Sequence, residues 1–414
     1  MHPPKGDSQF SDLRRAGTVI VGMSGGVDSA VAALLLQRDG LEVQGLFMSN
    51  WEDDDDAYCT TASDFQDARR VCETLGIPLH RVSFAAQYRE RVFAHFLREY
   101  AAGRTPNPDV LCNREIKFGV CLDYMHRLGA SLVATGHYAR LRQTSSGPEL
   151  RKAADAAKDQ SYFLHSVSAA AFAKTLFPIG ELHKSEVRKI ARESGLQVFD
   201  KPDSTGICFI GERPFQEFLS RHLHTEPGPI ENDRGQVIGE HRGLALYTLG
   251  QRSGLGIGGR AGTDAAPWYV ADKDVARNAL IVVQHQDHPL LLSDAFEVEQ
   301  MHWLNAGQCI DRPFECAVKT RYRQGDIECT VSRATAAAAG AGAGAANGYP
   351  ADALRVSLKN PARAVTPGQY AVFYEGERCL GGGVIARRFN SRAVRPEARA
   401  HGIAYNSRFS VEGS

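Results

Sequence analysis

The chain has 414 residues, about two to three times an ordinary domain, so two or three domains with separate cores are expected and no covalent staple is needed. Its 48 basic and 48 acidic side chains balance, so net charge argues for no nucleic-acid partner and any such surface has to be local. The nine cysteines are widely spaced and lack a C-x-x-C, and no apolar run is long enough to span a bilayer; this excludes a disulfide framework, a zinc or iron–sulfur motif and a membrane partner, and predicts a cytoplasmic protein.

Residues 1–16 read as a flexible N-terminus without the apolar core of a signal peptide. TVIVGM (18–23) reads as a strand, DSAVAALLLQRDG as a helix ending at Gly40, and LEVQGLFMSN as a second strand. ASDFQDARRVCETLG sets Phe65, Ala68, Val71, Cys72 and Leu75 on one helical face. PLHRVSF, a helix around RVFAHFLREY, a helix over 115–128 and the strand SLVATG follow. This alternation predicts an α/β fold over 17–215, a parallel sheet covered on both faces whose ligand sits at the carboxyl ends of the strands. Residues 24–29 fall at such an end.

Beyond 215 the texture turns to short, glycine-rich β-like runs, read as a small β-rich central domain (216–285) and a C-terminal β-barrel (286–386). The low-complexity stretch ATAAAAGAGAGAANGYP (334–350) reads as a disordered hairpin insertion in the barrel. The tail 387–414 carries Arg387, Arg388, Arg392, Arg395, Arg399 and Arg408 against Glu397 and Glu412; it reads equally as a phosphate-attracting or a merely solvated segment.

Three stretches carry chemistry. The loop of Gly22, Met23, Ser24, Gly25, Gly26, Val27, Asp28 and Ser29 lacks the G-K-[ST] ending of a Walker loop and the spacing of G-x-G-x-x-G, yet its small residues lead from an apolar strand into a helix N-terminus. Unpaired N–H groups and hydroxyls there can cradle an anion, with Asp28 placed to hold a magnesium ion against it. SGGVDS resembles the pyrophosphatase loop of enzymes that cleave ATP between the α and β phosphates. In GRTPNPDVLCNREIKF (103–118), two prolines stiffen a loop and Cys112 precedes a helix; it is either an activated thiol or a buried structural one. KPDSTGICFIGER (201–213) sets Cys208 among small, turn-forming residues, and two such thiols suit persulfide chemistry. WEDDDD (51–56) reads as an exposed acidic loop rather than a metal site, and KTRYR (319–323) as either an RNA-contacting strand or an ordinary exposed one.

Together with NWEDDDDAYCT, ATGHYAR, AKDQSYFL, LFPIGELHKSEVRKIARESGL, YTLGQRSGLGIGG, PWYVADKD and VTPGQYAVFY, these stretches closely resemble the bacterial tRNA-specific 2-thiouridylases over about 17–385. The resemblance implies ATP and Mg²⁺ as cofactors, the anticodon arm of tRNA as partner, and a persulfide carrier or cysteine desulfurase relay as sulfur source. It implies Cys112 as nucleophile, Cys208 as persulfide bearer and Asp109 as acid/base. ATP would contact residues 22–29, Met48 and Gly136; target base and tRNA would contact Asn107, Pro108, Asp109, His137, Lys158, Asp159, Gln160, Arg321, Tyr322 and Gln369. Cys59, Cys72, Cys121, Cys309, Cys316, Cys329 and Cys379 are expected to stay reduced. Ser253 stands where that family usually has lysine. A small-molecule ligase on the same loop would need no paired cysteines, and a noncatalytic RNA-binding protein would need neither them nor the loop.

Overall fold

The computed structural model describes residues 10, 13, 17–51, 61–203, 215–258, 266–304, 312–334 and 353–390. The first domain is built on strands β1 (Val19–Gly22), β2 (Val43–Ser49), β3 (Leu79–Ser83), β4 (Leu132–Thr135) and β7 (Thr175–Leu176), all parallel, in the order β3-β2-β1-β4-β7. The chain winds outward from β1 through β2 to β3, then returns to the other side of β1 as β4. That reversal opens a crevice at the carboxyl ends of β1 and β4, where open α/β sheets bind their ligands. Helix α1 (Val27–Arg38) is apolar on nearly every side, so it is buried between sheet and neighbouring helices, while α2 (Thr61–Leu75) buries only Ala68, Val71 and Cys72.

The hairpin of β5 (Arg140–Thr144) and β6 (Gly147–Arg151) leaves the first domain and joins the sheet of the third. The central module is a four-stranded sheet, β10 (Trp268–Asp274), β11 (Ala279–Gln284), β8 (Gly228–Glu231) and β9 (Val237–His241), in that order. The C-terminal barrel runs β12 (Leu292–Trp303), β15 (Leu354–Arg363), β14 (Ile327–Arg333), β13 (Phe314–Lys319), β16 (Tyr370–Glu375) and β17 (Arg378–Phe389), closed by β12 pairing with β17. The α/β-plus-two-β-domain architecture is as expected. The Ala/Gly insertion lies outside the described residues except for Ala334, but β14 and β15 are antiparallel neighbours, and the Ala334 N–H donates to the Ala353 carbonyl at 2.9 Å. The strands on either side of the insertion are thus paired with each other. The helix expected over 115–128 instead begins at Pro108.

The first domain and the barrel are joined by hydrogen bonds and ion pairs, among them Tyr162 Oη to the Tyr370 carbonyl and Arg151 to Glu377, and a buried histidine beside them is acid-sensitive. His165 is 0 % exposed; its Nδ1–H donates to the Tyr162 carbonyl at 2.7 Å, while Nε2 has no hydrogen-bond partner. A Cβ on Gly382 of β17 would come within 2.7 Å of its ring, so only glycine permits the contact. Burial first, with His302 and Arg114 adding to it, outweighs the Tyr162 carbonyl and holds His165 down at about 4. An unfolded histidine titrates near about 6.5, so the unfolded chain binds the extra proton first and stability falls as pH drops from there toward 4, by about 3 kcal/mol from this residue. Urea unfolding at pH 7 and pH 4.5 should show that loss, and His165→Gln should flatten the pH slope; an unchanged slope would place the acid sensitivity elsewhere.

Candidate active site

Gly26, in extended conformation, caps α1 without any side-chain hydrogen bond, so the first-turn N–H groups of the helix face the crevice. The hydroxyls of Ser24 and Ser29 lie 3.2 Å apart, Gly26 N–H donates to Ser24 Oγ and Ser29 Oγ to the Gly26 carbonyl. This ring of short contacts holds the loop in an anion-receiving shape. Gly25 has φ +75°, and a Cβ there would lie 2.2 Å from the Asp64 carbonyl oxygen; a Cβ on Gly136, beyond β4, would lie 2.6 Å from Ser29 N. The glycines at these two positions are therefore required by close approach. Met48, on β2, is half-buried.

The rest of the cradle is charged, and sequence reasoning missed it. Lys184, first residue of α3 (Lys184–Glu193), reaches both oxygens of Asp28 at 2.7 and 2.8 Å and Asp203 at 2.8 Å. The Tyr138 hydroxyl donates to Asp28 at 2.8 Å. Lys158 and Arg188 also hold Asp203, at 2.6 and 3.1 Å. Burial disfavours ionisation of Asp203, but hydrogen bonds from Lys158 and Lys184 outweigh it and hold the carboxyl at about 2. Lys201 donates to the Gly25 carbonyl at 3.0 Å and to Asp64 and Asp67 at 2.8 and 2.6 Å. A signal existed: a lysine opening a helix opposes the helix dipole, which implies a carboxylate partner.

Both Asp28 oxygens, expected to face a magnesium ion, are engaged here by Lys184, and among the described residues no group of three or more metal-ligating side chains exists.

Cys112 is not in a loop before a helix. Asn107 accepts the Asp109 N–H at 3.1 Å as N-cap and Pro108 opens the helical run, so Cys112 lies in its second turn. The run widens to a π-type turn over Cys112–Val120 and kinks at Gly119. Cys112 is 1 % exposed, in a core with Ile20 and Val133 of β1 and β4. Asp109 is half-buried in the first turn. Cys208 lies outside the described residues, as do Cys59 and Cys309, but both roots of its segment are placed. One is the Lys201–Asp203 cluster on the nucleotide loop. The other is α4 (Phe215–His222), whose Phe218 packs edge-on against Phe93 at 5.8 Å and Trp51 at 6.3 Å. The thiols of Cys72, Cys121 and Cys379 are buried and pushed up by burial to about 11, 12 and 12.

The residues expected to touch tRNA take structural partners here. His137 is buried among Phe118 and Phe177, hydrogen-bonded to Thr135, and held well below its ordinary pKa by burial and then Lys117; it is neutral. Asp159 accepts from Ala153 and Ser161 and faces Lys319 of β13 at 3.5 Å, and Gln160 Oε1 accepts the Tyr138 N–H. Arg321 donates to the Arg363 carbonyl, and Tyr322 packs on Phe163 at 4.5 Å. Gln369 donates to the Thr105 carbonyl at 2.8 Å, where Lys273 of the central module also reaches Gly103 O at 3.2 Å. All three domains therefore clamp the loop that leads to Cys112.

Residues 17–212 match the profile described as tRNA methyl transferase HUP domain, 216–284 the tRNA methyl transferase PRC-barrel domain, and 344–385 the aminomethyltransferase beta-barrel domain. The chain is 54% identical over 374 residues to the tRNA-specific 2-thiouridylase MnmA of Tolumonas auensis, covering 90% of this chain and 97% of that protein. The proteins of the same name from Vibrio cholerae and Pseudomonas entomophila are also 54% identical, over 374 and 368 residues, each covering 89% of this chain and 96% and 94% of their own lengths. With this identity spanning the nucleotide loop, the Cys112 run and both β domains, the chain belongs to the tRNA-specific 2-thiouridylase family.

Proposed function

We propose that this enzyme carries out ATP-dependent 2-thiolation of the wobble uridine of tRNA in the cytoplasm. The observation that carries the reading is the tie between nucleotide loop and sulfur segment: Lys184 bridges Asp28 to Asp203, and Lys201 grips the Gly25 carbonyl, five and seven residues before Cys208 by sequence. Events at the triphosphate are thereby coupled to the root of the thiol that would deliver sulfur. ATP phosphates would take the N–H groups of α1 and the hydroxyls of Ser24 and Ser29, and uridine O2 would attack the α-phosphate, releasing pyrophosphate. Magnesium would arrive with the nucleotide and offset phosphate charge rather than sit on Asp28. Asp109, at the mouth of the Cys112 helix, would move a proton at the base, and the base would be turned out of its stack to reach it. Anticodon-arm contacts by Lys158, Arg321, Tyr322 and Gln369 would require them to exchange their present partners. A persulfide carrier protein or desulfurase relay would load Cys208.

The test is product analysis with purified protein, ATP and unmodified tRNA. AMP and pyrophosphate should form only when tRNA is present. ADP and phosphate as main products would overturn the pyrophosphatase assignment of the loop, and AMP formation without tRNA would favour the small-molecule ligase reading.

A further inference from the structure

Cys316 on β13 and Cys329 on β14 stand directly opposite each other in the antiparallel ladder, with their sulfurs 3.6 Å apart and both thiols reduced. Opposed residues of such a ladder have Cα atoms about 4.5–5.5 Å apart, inside the roughly 4.4–6.8 Å window of disulfides. Bond formation asks the sulfurs to close by only about 1.5 Å. The two thiols are not equivalent. Cys316 is half-buried, whereas Cys329 is 4% exposed and packs with Val318, Val331 and Leu358 inside the barrel. One cysteine is partly exposed to solvent, and the other is buried next to it in position to resolve what forms there.

We propose that Cys316 and Cys329 are a redox dithiol site that reacts with small-molecule disulfides and closes into a cross-strand disulfide. The inference is independent of the thiolation reading and revises the expectation that both cysteines stay reduced. In the first step the Cys316 thiolate, its proton lost to solvent, attacks one sulfur of the small disulfide; that S–S bond breaks, a mixed disulfide forms and one small thiolate leaves. In the second, the Cys329 thiolate attacks the Cys316 sulfur, the mixed disulfide breaks and the second small thiolate leaves. The protein gives up two electrons and two protons, and the small disulfide becomes two thiols. The hydrogen bond with Cys329 and then burial hold the Cys316 thiol above its ordinary value, so closure quickens as pH rises. The closed bond ties the two strands just before the turn 320–326, in which Arg321 bonds back to the Arg363 carbonyl of the barrel and Tyr322 packs on Phe163 of the first domain. Oxidation therefore stiffens the part of the barrel that meets the catalytic domain.

The experiment uses the full chain with oxidised glutathione at pH 8, without ATP or tRNA, followed by acid quench, alkylation and peptide mapping. A peptide pair linked through Cys316 and Cys329 should accumulate at least tenfold over any other link involving either residue, and dithiothreitol should reverse it. In Cys329→Ser, glutathione should remain on Cys316. Amide exchange across 320–326 should slow several-fold on closure. Glutathione persisting on Cys316 while Cys329 is intact, or full alkylation of both thiols after the treatment, overturns the site. These readings come from the unmutated chain, so a poorly folded variant does not decide the matter. A disulfide that forms without slowing exchange overturns the stiffening.

Discussion

Lys184→Ala should lower tRNA-dependent pyrophosphate release by about 100-fold or more and cost the fold about 2–3 kcal/mol. The side chain is 11% exposed and is the cation shared by Asp28 and Asp203. Without it Asp203 keeps Lys158 and Arg188, but Asp28 keeps only the Tyr138 hydroxyl among the described residues. An uncompensated carboxylate would then face the place where a triphosphate must bind, and both binding and fold would suffer. The stability loss falls at the low end for buried pairs because the Asp28 side chain is 31% exposed. Alanine is a good helix former, and removing a cation from a helix N-terminus is locally favourable, so any loss belongs to the ion pair. Asp28→Asn combined with Lys184→Met separates the two effects. Its melting temperature should recover most of the loss while pyrophosphate release stays low. Wild-type release from Lys184→Ala would remove the lysine from the site, and recovered release in the double variant would make the pair purely structural.

Cys112→Ser and Cys208→Ser should each reduce 2-thiouridine formation to background, a fall of at least about 1,000-fold, as expected when a covalent step loses its nucleophile. A persulfide on Cys208 would place its outer sulfur on C2 of the adenylated uridine as AMP leaves. Cys112 would then attack the inner sulfur, breaking the S–S bond, so that the outer sulfur stays with the base and a Cys112–Cys208 disulfide remains. A reductant must reopen that disulfide before the next turnover. The two Cα atoms have to come within roughly 7 Å at that moment, and Cys112 is 1% exposed, so the cover over it must open during the cycle. Single turnover without reductant, followed by peptide mapping, should find the Cys112–Cys208 pair. Serine in an apolar core can destabilise by itself, and Cys112→Ala, with an unchanged melting temperature and equally absent product, controls for that. Repeated turnover by either Cys112 variant at the normal rate would leave Cys208 acting alone.

The strands of the first domain, α1 and the nucleotide loop were legible because their signals are local. TVIV is an apolar run ending in small residues, and a Gly-Gly turn into an apolar helix can do little else at the end of a parallel strand. The start of the Cys112 run was legible too but misread. Asn107, Pro108 and Asp109 are N-cap, first and second helical residues, where proline's missing N–H costs nothing; taken as a stiff loop, they moved the helix start too late. The hairpin β5–β6 gave no sign that it would leave its own domain and pair with β17, because edge pairing depends on what lies alongside.

From its sequence alone this protein was determined to be an α/β nucleotide-loop enzyme with two β domains and the likeness of a tRNA thiolase, since periodicity, turn chemistry and motif spacing are properties of neighbouring residues. Only the tertiary structure decided that Asp28 holds a lysine, that Asp203 anchors the root of the Cys208 segment, that His165 sits neutral against Gly382, and that Cys316 meets Cys329. Lys184 and Asp28 are 156 positions apart. Ion pairs, pKa shifts and sulfur–sulfur contacts act over a few ångströms of space, and separation along the chain carries no information about which partners the folded backbone will bring within that reach.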